Sequence, residues 1–308
     1  APALQLISGP GCPVCVTDDG YLQSAVQATG RGYGILTFGD MLRVPGPLGS
    51  LQAARARGAA VDIVYSPLDA VLLARREPER RFVFLAVGFE TTAPGIAAAV
   101  MQAPDNLFFL CGLKRVMPAL AALFGSEPRP AIDGLLLPGH VSAIIGAGAY
   151  RAFAQQHRLP CVVGGFTPTG MALALAELAE RIGRGDCSVG NAYRAVVQEA
   201  GNARALTVLD EVLRPVDAVW RGLGSIPQSG YALAAKHAAR ALATVEPDLD
   251  PPQVVPNRSG CRCGEVLAGR LNPRQCPLFG TTCTPAAPAG ACMVSSEGSC
   301  AAAYQYGA

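Results

Sequence analysis

Two groups of cysteines combine residue types and spacings that could do chemistry. The first is Cys12 and Cys15, separated by a proline and a valine, and the second is a set of six cysteines within residues 257–308. Thiols at such spacings can close into a reversible disulfide, bind zinc or hold an iron–sulfur cluster. The remaining sequence has to position these thiols and to favour one chemistry over the others.

The Cys-Pro-Val-Cys motif at residues 12–15 follows the apolar run Leu4–Ile7 and a Gly-Pro-Gly turn. A helical pattern over Tyr21–Ala28 comes after it, so we expect the motif at a helix N-terminus, where exposed N–H groups lower a thiol pKa. Two cysteines at this separation can also close into a disulfide. We interpret Cys12 and Cys15 as a redox dithiol, with a metal site and an inert structural pair as the alternatives.

The C-terminal cysteine segment has almost no periodic apolar pattern, and Gly and Pro interrupt it repeatedly. Hydrophobic burial alone cannot offset the entropy of ordering such a segment, so a covalent or metal staple is expected. Its one close pair, Cys261 and Cys263, is too tight for a zinc knuckle. The wider intervals of twelve, six and sixteen residues favour a cubane iron–sulfur cluster, with zinc and disulfides as alternatives. These intervals separate four cysteines: Cys263, Cys276, Cys283 and Cys300.

Two further polar residues lie where a parallel sheet presents ligands. Glu90, in Gly-Phe-Glu-Thr-Thr, and His140, in Pro-Gly-His, each follow a predicted strand within a Gly- or Pro-bearing loop. Crevices outside the carboxyl ends of parallel strands bind ligands, so we predict a functional cleft there. A helix cap for Glu90 and a structural hydrogen bond for His140 are the alternatives. The single cysteines Cys111, Cys161 and Cys187 are predicted to be buried small hydrophobes.

The elements that must position these residues alternate between strands and helices over the first 166 residues. Continuous apolar runs are typical of strands buried on both faces of a parallel sheet, and the alternation indicates an α/β fold. The predicted strands are Leu4–Ile7, Gly34–Phe38, Val61–Tyr65, Arg81–Val87, Leu107–Leu110, Gly134–Leu137 and Cys161–Val163. The predicted helices are Leu51–Arg57, Ala70–Arg75, Ile96–Met101 and Met117–Leu123.

Domain boundaries follow from shifts in this pattern. We predict two parallel-sheet α/β domains, at 1–78 and 79–168, then a helical segment at 169–250 whose pattern runs from Met171 to Leu242. Glu246–Pro256 is a Pro- and Asp-rich linker to a loop-rich, cysteine-ligated iron–sulfur domain at 251–308.

Composition excludes several classes of function. The 308 residues carry 25 basic and 23 acidic side chains, a net charge of +2 that predicts neither a nucleic-acid footprint nor a membrane-surface patch. The sequence has no apolar run of transmembrane length and no visible signal peptide. Eleven cysteines without signs of secretion favour a reducing compartment. Phosphate-loop, dinucleotide-fold, nucleophile-elbow and zinc-protease signatures are missing, and the Gly-rich stretch Gly222–Gly230 is a weak candidate for phosphate binding.

Nine motifs along almost the whole chain resemble the HypD family, the hydrogenase formation proteins of nickel–iron hydrogenase maturation. They are GPGCPVCV (9–16), TFGDMLRVPG (37–46), VYSPLDA (64–70), GFETTAP (88–94), PGHVSAIIG (138–146), WRGLGSIPQSG (220–230), RCGEVLAG (262–269), QCPLFGTTCTP (275–285) and ACMVSSEGSCAAAYQY (291–306).

The resemblance implies a cytoplasmic, three-domain assembly scaffold with redox activity, not a conventional enzyme. Its implied cofactor is a [4Fe–4S] cluster on Cys263, Cys276, Cys283 and Cys300, with Cys261 and Cys292 flanking the ligands. Its implied cargo is an iron that transiently carries cyanide and carbon monoxide ligands. HypC and HypE are the implied protein partners, and we expect a monomer when free.

The matched Cys12 and Cys15 correspond to the family's redox-active pair, and one hypothesis has the cluster pass electrons to them. Without the resemblance, a thiol–disulfide oxidoreductase and a zinc-stabilised binding module are the alternative functions.

Two departures from the family pattern affect these expectations. The family has an upstream Cys-Gly-Gly-His-Thr-His motif thought to hold iron, and this sequence begins after that point. The family's Gly-Phe-Glu-Pro-Leu-Asp loop is Gly-Phe-Thr-Pro-Thr-Gly here, at residues 165–170, without either carboxylate. Less negative charge is therefore expected at that loop.

Overall fold

The computed structural model describes residues 4–249 and 260–307. It has nine strands within those ranges, in two parallel sheets and one antiparallel hairpin. The strands are β1 (Gly34–Thr37), β2 (Val61–Ile63), β3 (Phe82–Gly88), β4 (Leu107–Leu113), β5 (Leu135–Pro138), β6 (Cys161–Gly164), β7 (Val189–Asn191), β8 (Leu213–Trp220) and β9 (Gly224–Leu233).

Helices connect and cover these strands. In chain order they are α1 (Pro13–Val16), α2 (Asp19–Gly30), α3 (Gly39–Leu42), α4 (Leu51–Ala56), α5 (Pro67–Arg76), α6 (Ala93–Gln102), α7 (Val116–Gly125), α8 (Gly139–Ile145), α9 (Arg151–His157), α10 (Pro168–Arg184), α11 (Ala203–Val212), α12 (Leu242–Val245), α13 (Cys263–Leu267) and α14 (Ser299–Tyr306). Short 3-10 turns lie at Ala147–Tyr150, Ala235–Arg240, Pro247–Leu249, Pro273–Gln275 and Ala291–Met293. Across residues 4–249 and 260–307, no helix is both long and apolar enough to cross a membrane.

The first sheet has the strand order β2-β1-β3-β4, all parallel. All seven residues of β3 are buried, as its continuous apolar sequence predicts for a strand covered on both faces. Phe84 lies at the centre, with its ring 5.5 Å from that of Phe38 and 6.0 Å from that of Phe109, both edge to face. This aromatic packing forms much of the core beneath the sheet.

The second sheet has the order β5-β6-β7 and is also parallel. Val162 of β6 packs against Ala174 and Leu178 of α10. That helix begins where the Thr167 hydroxyl accepts a hydrogen bond from Gly170 N at 3.1 Å, and it ends at Gly185 in a left-handed conformation. The fold class predicted from the sequence, two parallel-sheet α/β regions followed by a loop-rich cysteine segment, is confirmed.

The chain divides into two compact units. Unit 1 comprises the described residues of 1–88, 95–114 and 212–308, and unit 2 comprises 89–94 and 115–211. Unit 1 contains the first sheet, the hairpin and the cysteine segment, whereas unit 2 contains the second sheet. The sequence-based domains at 1–78, 79–168, 169–250 and 251–308 stay a prediction about which segments fold independently.

Two predictions of secondary structure are wrong. Leu4–Ile7 is not a strand: no strand among the described residues pairs with it, and its apolar side chains are exposed. The helical pattern from Met171 to Leu242 holds for α10 and α11, but β8 and β9 form an antiparallel hairpin with Leu213 opposite Leu233. Most of the predicted linker Glu246–Pro256 lies outside the described residues.

Candidate thiol sites

Cys12 and Cys15 form a disulfide at the one-turn helix α1, with their Cα atoms 5.2 Å apart. Pro13 occupies the first helical position, where its missing N–H costs nothing, and Cys12 is the N-cap. The Cys12 sulfur accepts a hydrogen bond from Cys15 N at 3.1 Å. Both cysteines are buried, with exposed fractions of 3% and 0%.

The segment after the motif changes direction within three residues. The buried Thr17 hydroxyl donates to Pro13 O at 2.9 Å, and the Asp18 carboxylate caps α2 by accepting from Tyr21 N at 2.9 Å. The helix predicted over Tyr21–Ala28 is thus confirmed as α2, but the motif itself lies on the separate single turn α1. The macrodipole of a long helix therefore does not act directly on Cys12 and Cys15.

The cysteine segment, residues 260–307, consists of short helices and 3-10 turns around buried sulfur atoms. Cys261 is half-buried, whereas the other five cysteines are buried: Cys263, Cys276, Cys283, Cys292 and Cys300. Cys283 Sγ accepts a hydrogen bond from Ala289 N at 3.3 Å. The segment therefore gathers thiols in an environment shielded from solvent.

Hydrogen bonds between thiols connect four of these cysteines. The Cys263 sulfur accepts from Cys261 and Cys292, which together with the charge of Arg221 lowers the pKa of Cys263 well below its ordinary value despite burial. Cys292 also donates to Cys300, so the pKa of Cys292 is raised while that of Cys300 is lowered. Cys292, which the sequence analysis placed outside the ligand set, thus lies between two of the four predicted ligands.

The donor chemistry fits an all-thiolate metal centre, because the four predicted ligands are buried cysteines in one short segment. The side chains are not, however, arranged as a closed coordination shell. In the described part of the chain, no group of three or more Cys, His, Asp or Glu residues is arranged to hold a metal ion. Spacing identified the thiols, but it gave no signal for the contacts that Cys292 makes, since these depend on how the segment folds.

The two cysteine groups meet within unit 1. Helix α1 packs against the 3-10 turn Ala291–Met293, and Cys15 Sγ lies 4.0 Å from Ala291 O. The next residue, Cys292, contacts the thiols of Cys263 and Cys300. The contact between Cys15 and Ala291, which are 276 residues apart along the chain, therefore places the disulfide beside the segment that contains these thiols.

Glu90 lies in unit 2 and is buried, with 3% of its surface exposed. Val116 N donates to both carboxylate oxygens, at 3.0 and 3.2 Å, so Glu90 caps the start of α7 as the alternative interpretation suggested. Burial outweighs these hydrogen bonds and raises the pKa of Glu90 to about 7. The carboxyl group can thus gain or lose a proton near neutral pH.

His140, also in unit 2, is exposed at the start of α8 and stacks on Phe166, with ring centroids 3.9 Å apart and planes at 22°. Phe166 belongs to the altered loop 165–170, and Tyr193 meets it edge to face at 6.4 Å. Cys12 and Cys15 belong to unit 1, and the cleft predicted to combine all four residues stays a prediction.

The remaining single cysteines differ from one another. Cys161 is fully buried in β6, which confirms the predicted buried small hydrophobe, and burial raises the pKa of its thiol to about 12. Cys111 is half-buried as a whole residue, but burial also raises the pKa of its thiol to about 12. Cys187 is half-buried, so the prediction of a buried residue is wrong for it.

Comparison with known proteins identifies the class to which this fold and these thiol sites belong. The HypD family model, described as the hydrogenase formation hypA family, matches residues 1–307. The hydrogenase maturation factor HypD of Escherichia coli is 44% identical over 310 residues, which cover 98% of this chain and 82% of that protein. HypD of Rhodobacter capsulatus is 41% identical over 321 residues, covering 99% and 83%. HypD of Cupriavidus necator is 40% identical over 320 residues, again covering 99% and 83%.

These matches place the chain among α/β proteins devoted to hydrogenase formation. More specifically, the chain belongs to the HypD family of hydrogenase maturation factors.

Proposed function

We propose that this protein is a scaffold and redox protein on which the Fe(CN)2CO unit of nickel–iron hydrogenase is assembled. The observation that carries the proposal is the packing of the Cys12–Cys15 disulfide against the cysteine segment, with Cys15 Sγ 4.0 Å from Ala291 O. A redox pair and a set of metal-binding thiols this close together form one working site. Family membership supplies the hydrogenase context.

Cys263, Cys276, Cys283 and Cys300 would hold a [4Fe–4S] cluster, and Cys292 is the competing candidate for one of these positions. The chemistry that such a cluster supplies when bound is one-electron transfer. The protein's own residues bury the thiols and exclude water from them. They also keep the disulfide beside the segment, where its reduction takes up two electrons and two protons and yields two thiols.

The substrate in this proposal is an iron that carries cyanide and carbon monoxide ligands. Glu90 is the proposed proton donor or acceptor, because its carboxyl group has a pKa of about 7. The exposed imidazole of His140 is the proposed polar contact to substrate or partner. HypC and HypE are the proposed protein partners of a free monomer that acts in the cytoplasm, as the family resemblance implies.

A thiol–disulfide oxidoreductase that acts on other proteins is the alternative function. Such enzymes need a partly exposed nucleophilic thiol, whereas Cys12 and Cys15 are 3% and 0% exposed. Burial therefore favours an internal redox role for the pair over attack on external protein substrates.

Iron content and visible absorption of the anaerobically purified chain test the proposal. We expect bound iron and the broad visible absorption of a thiolate-ligated cluster, both lost in Cys276→Ala and both kept in Cys12→Ser. Cys187 is a half-buried thiol outside both cysteine groups, so Cys187→Ala is the control and should keep the absorption. Zinc in place of iron, or loss of the absorption in Cys12→Ser, would contradict the proposal.

The same measurement resolves the position of Cys292. If Cys300 is the ligand, Cys300→Ala loses the absorption and Cys292→Ala keeps it. The opposite pattern would move the fourth ligand to Cys292 and correct the assignment made from sequence spacing.

A further inference from the structure

The turn between β8 and β9, Trp220–Gly224, contacts both thiol sites of unit 1. Leu223 N donates to Trp220 O at 3.0 Å, and Gly222 adopts a φ of +76°, a left-handed value that favours glycine. The buried Trp220 indole donates to Ser229 Oγ at 2.8 Å. These hydrogen bonds of Trp220 hold the base of the turn, and Arg221 and Gly222 lie at its tip.

Arg221 completes the C-terminal end of the helix that carries the disulfide. Its backbone N donates to Val16 O at 2.9 Å, and its Nε donates to Thr17 O at 2.8 Å. The guanidinium also pairs with Asp19, Nη2 to Oδ1 at 2.7 Å. The last carbonyls of a helix have no partner within it, so Arg221 supplies the donors that end α1 and fixes the junction with α2.

A second cation, which is buried, strengthens this connection. Lys114, at the end of β4, donates from Nζ to Val219 O at 2.8 Å, and Nζ lies 4.0 Å from Asp18 Oδ2. Burial of the ammonium lowers the pKa of Lys114, and the carboxylate of Asp18 opposes that change. The end of β8 and the junction after the disulfide are therefore held together by two cations.

Gly222 forms the contact on the opposite side of the turn. A Cβ atom on Gly222 would overlap the backbone of Gly264, and a Cβ atom on Gly264 would overlap Gly222. Gly264 directly follows Cys263, so the turn lies backbone to backbone against the peptide that positions this thiol. Only two glycines permit so close an approach.

We propose that the turn Trp220–Gly224 is a positioning element that couples the two thiol sites. Arg221 holds the disulfide helix, Gly222 holds the peptide after Cys263, and a displacement on one side is passed to the other. The purpose of the coupling rests on the proposed function, since a fixed separation matters for electron exchange. The contacts themselves do not depend on that function.

Crossed measurements on the full chain test the coupling: one side of the turn is mutated, and the thiol site on the other side is measured. Arg221→Ala loses the contacts with Thr17 O and Asp19 and also the charge that acts on Cys263. It should raise amide hydrogen exchange at residues 263–267 by roughly tenfold, and Arg221→Lys, which keeps the charge but loses the Nε contact, should raise it as well. Gly222→Ala, which disturbs the Cys263 side, should make reduction of the Cys12–Cys15 disulfide by dithiothreitol roughly tenfold faster, because a buried disulfide is reduced through local opening. Exchange at β3 is the internal reference and should not change.

The chain offers a matched control for each variant. Arg240 likewise binds a backbone carbonyl, Pro104 O, and a carboxylate, Asp105, so Arg240→Ala removes similar contacts away from the thiols. Gly224 has a φ of +81°, but a Cβ atom added there would meet no other atom within 4 Å, so Gly224→Ala imposes similar backbone strain without the overlap. Neither control should change the crossed readouts.

The midpoint potential of the Cys12–Cys15 couple separates charge from packing. At a pH where one thiol of the reduced pair is ionised, Arg221→Ala should move the potential to more negative values, since the variant removes a cation and leaves Asp19 uncompensated. Arg221→Lys, which keeps the charge, should restore the potential towards that of the wild type. An unchanged potential in Arg221→Ala counts against the positioning role.

Effects confined to the side that was mutated would overturn the coupling, even if iron content and absorption behave as proposed. Conversely, crossed effects in a chain that binds no iron would support the coupling while removing the proposed function. If Gly222→Ala does not fold, the exchange and potential measurements on Arg221→Ala still decide.

Discussion

The α/β framework, residues 34–191, and the cysteine segment, residues 260–307, are ordered by different interactions. In the framework, β3 buries seven consecutive residues of a regular strand, and aromatic rings pack against it. In the cysteine segment, the longest helix described has eight residues, and five of six cysteines are buried. Regular apolar patterning specifies the first region, whereas sulfur contacts and turn geometry specify the second.

This difference explains why the two regions should respond differently to the same kind of change. A cavity in the framework removes contacts that define its core, but the cysteine segment has few large side chains to lose. Its order instead depends on groups that bridge distant parts of the chain. Four predictions, ordered from the largest effect to the smallest, test this contrast.

Phe84→Ala should produce the largest loss of stability. Its fully buried ring contacts Phe38 and Phe109, so the free energy of unfolding is expected to fall by roughly 3–5 kcal/mol. Denaturant unfolding measures the loss, and Tyr65→Ala, whose side chain is 91% exposed, is the control with a change within about 0.5 kcal/mol. Equal losses in the two variants would contradict the assignment of the core.

Glu90→Gln tests the cost of burying a carboxyl group in the framework. The pKa of Glu90 rises from 4.5 to about 7 on folding because the group is buried, so the folded state favours the neutral form. The contribution of this group to the free energy of unfolding is largest below pH 4.5. It falls by about 3 kcal/mol in total as the pH rises to about 7, and it does not change further at higher pH.

Denaturant unfolding at several pH values between 4 and 8 measures this slope. Glu90→Gln should lack the decline, and Glu79→Gln, which changes an exposed carboxylate, should keep it. A decline that persists in Glu90→Gln would show that other groups cause it.

Iron removal should loosen the cysteine segment and leave the framework unchanged. If the proposed cluster is bound, a chelator under reducing conditions should raise hydrogen exchange across 260–307 by roughly tenfold, while β3 keeps its protection. Mass spectrometry of exchanged peptides measures both regions in one sample. Loss of protection throughout the framework would mean that the two regions do not differ in this way.

Two side-chain caps, one on the α-helix α5 and one on the 3-10 turn Pro273–Gln275, provide the comparison with the smallest expected effect. Ser66 Oγ accepts from Leu68 N at 3.2 Å in the framework, and Asn272 Oδ1 accepts from Arg274 N at 3.0 Å in the cysteine segment. Ser66→Ala should cost about 1 kcal/mol under all conditions.

Asn272→Ala should have a similar effect only after chelation, because bound metal would already restrain the backbone near Cys276. Unfolding midpoints with and without chelator measure both variants. An effect of Asn272→Ala that is independent of iron would argue against metal restraint of this segment.

The sequence predicted the framework well because its signal is local. Continuous apolar runs located β1 to β6 to within a few residues, and their alternation with helical patterns gave the fold class. The same rule failed for Leu4–Ile7, since an apolar run forms a strand only where another strand pairs with it. It also missed β7, a three-residue strand with a single apolar side chain, Val189.

The hairpin and the site contacts were harder to predict for a different reason. Helical spacing in α11 leads directly into β8, and the helical interpretation passed over Pro215, a residue that cannot continue a helix. Cysteine spacing identified both groups of thiols, but the approach of Gly222 to Gly264 and the contacts of Cys292 link residues far apart in sequence. Such contacts exist only in the folded chain, so no single segment encodes them.

The contact between Cys15 and Ala291 has a consequence for synthesis of the protein on the ribosome. The dithiol is synthesised 276 residues before Ala291, which belongs to the turn that packs against it. Unit 2, which ends at residue 211, is complete before that turn exists. While the intervening residues are being synthesised, Cys12 and Cys15 therefore lack the contact with Ala291, and their final environment forms only after that turn has been made.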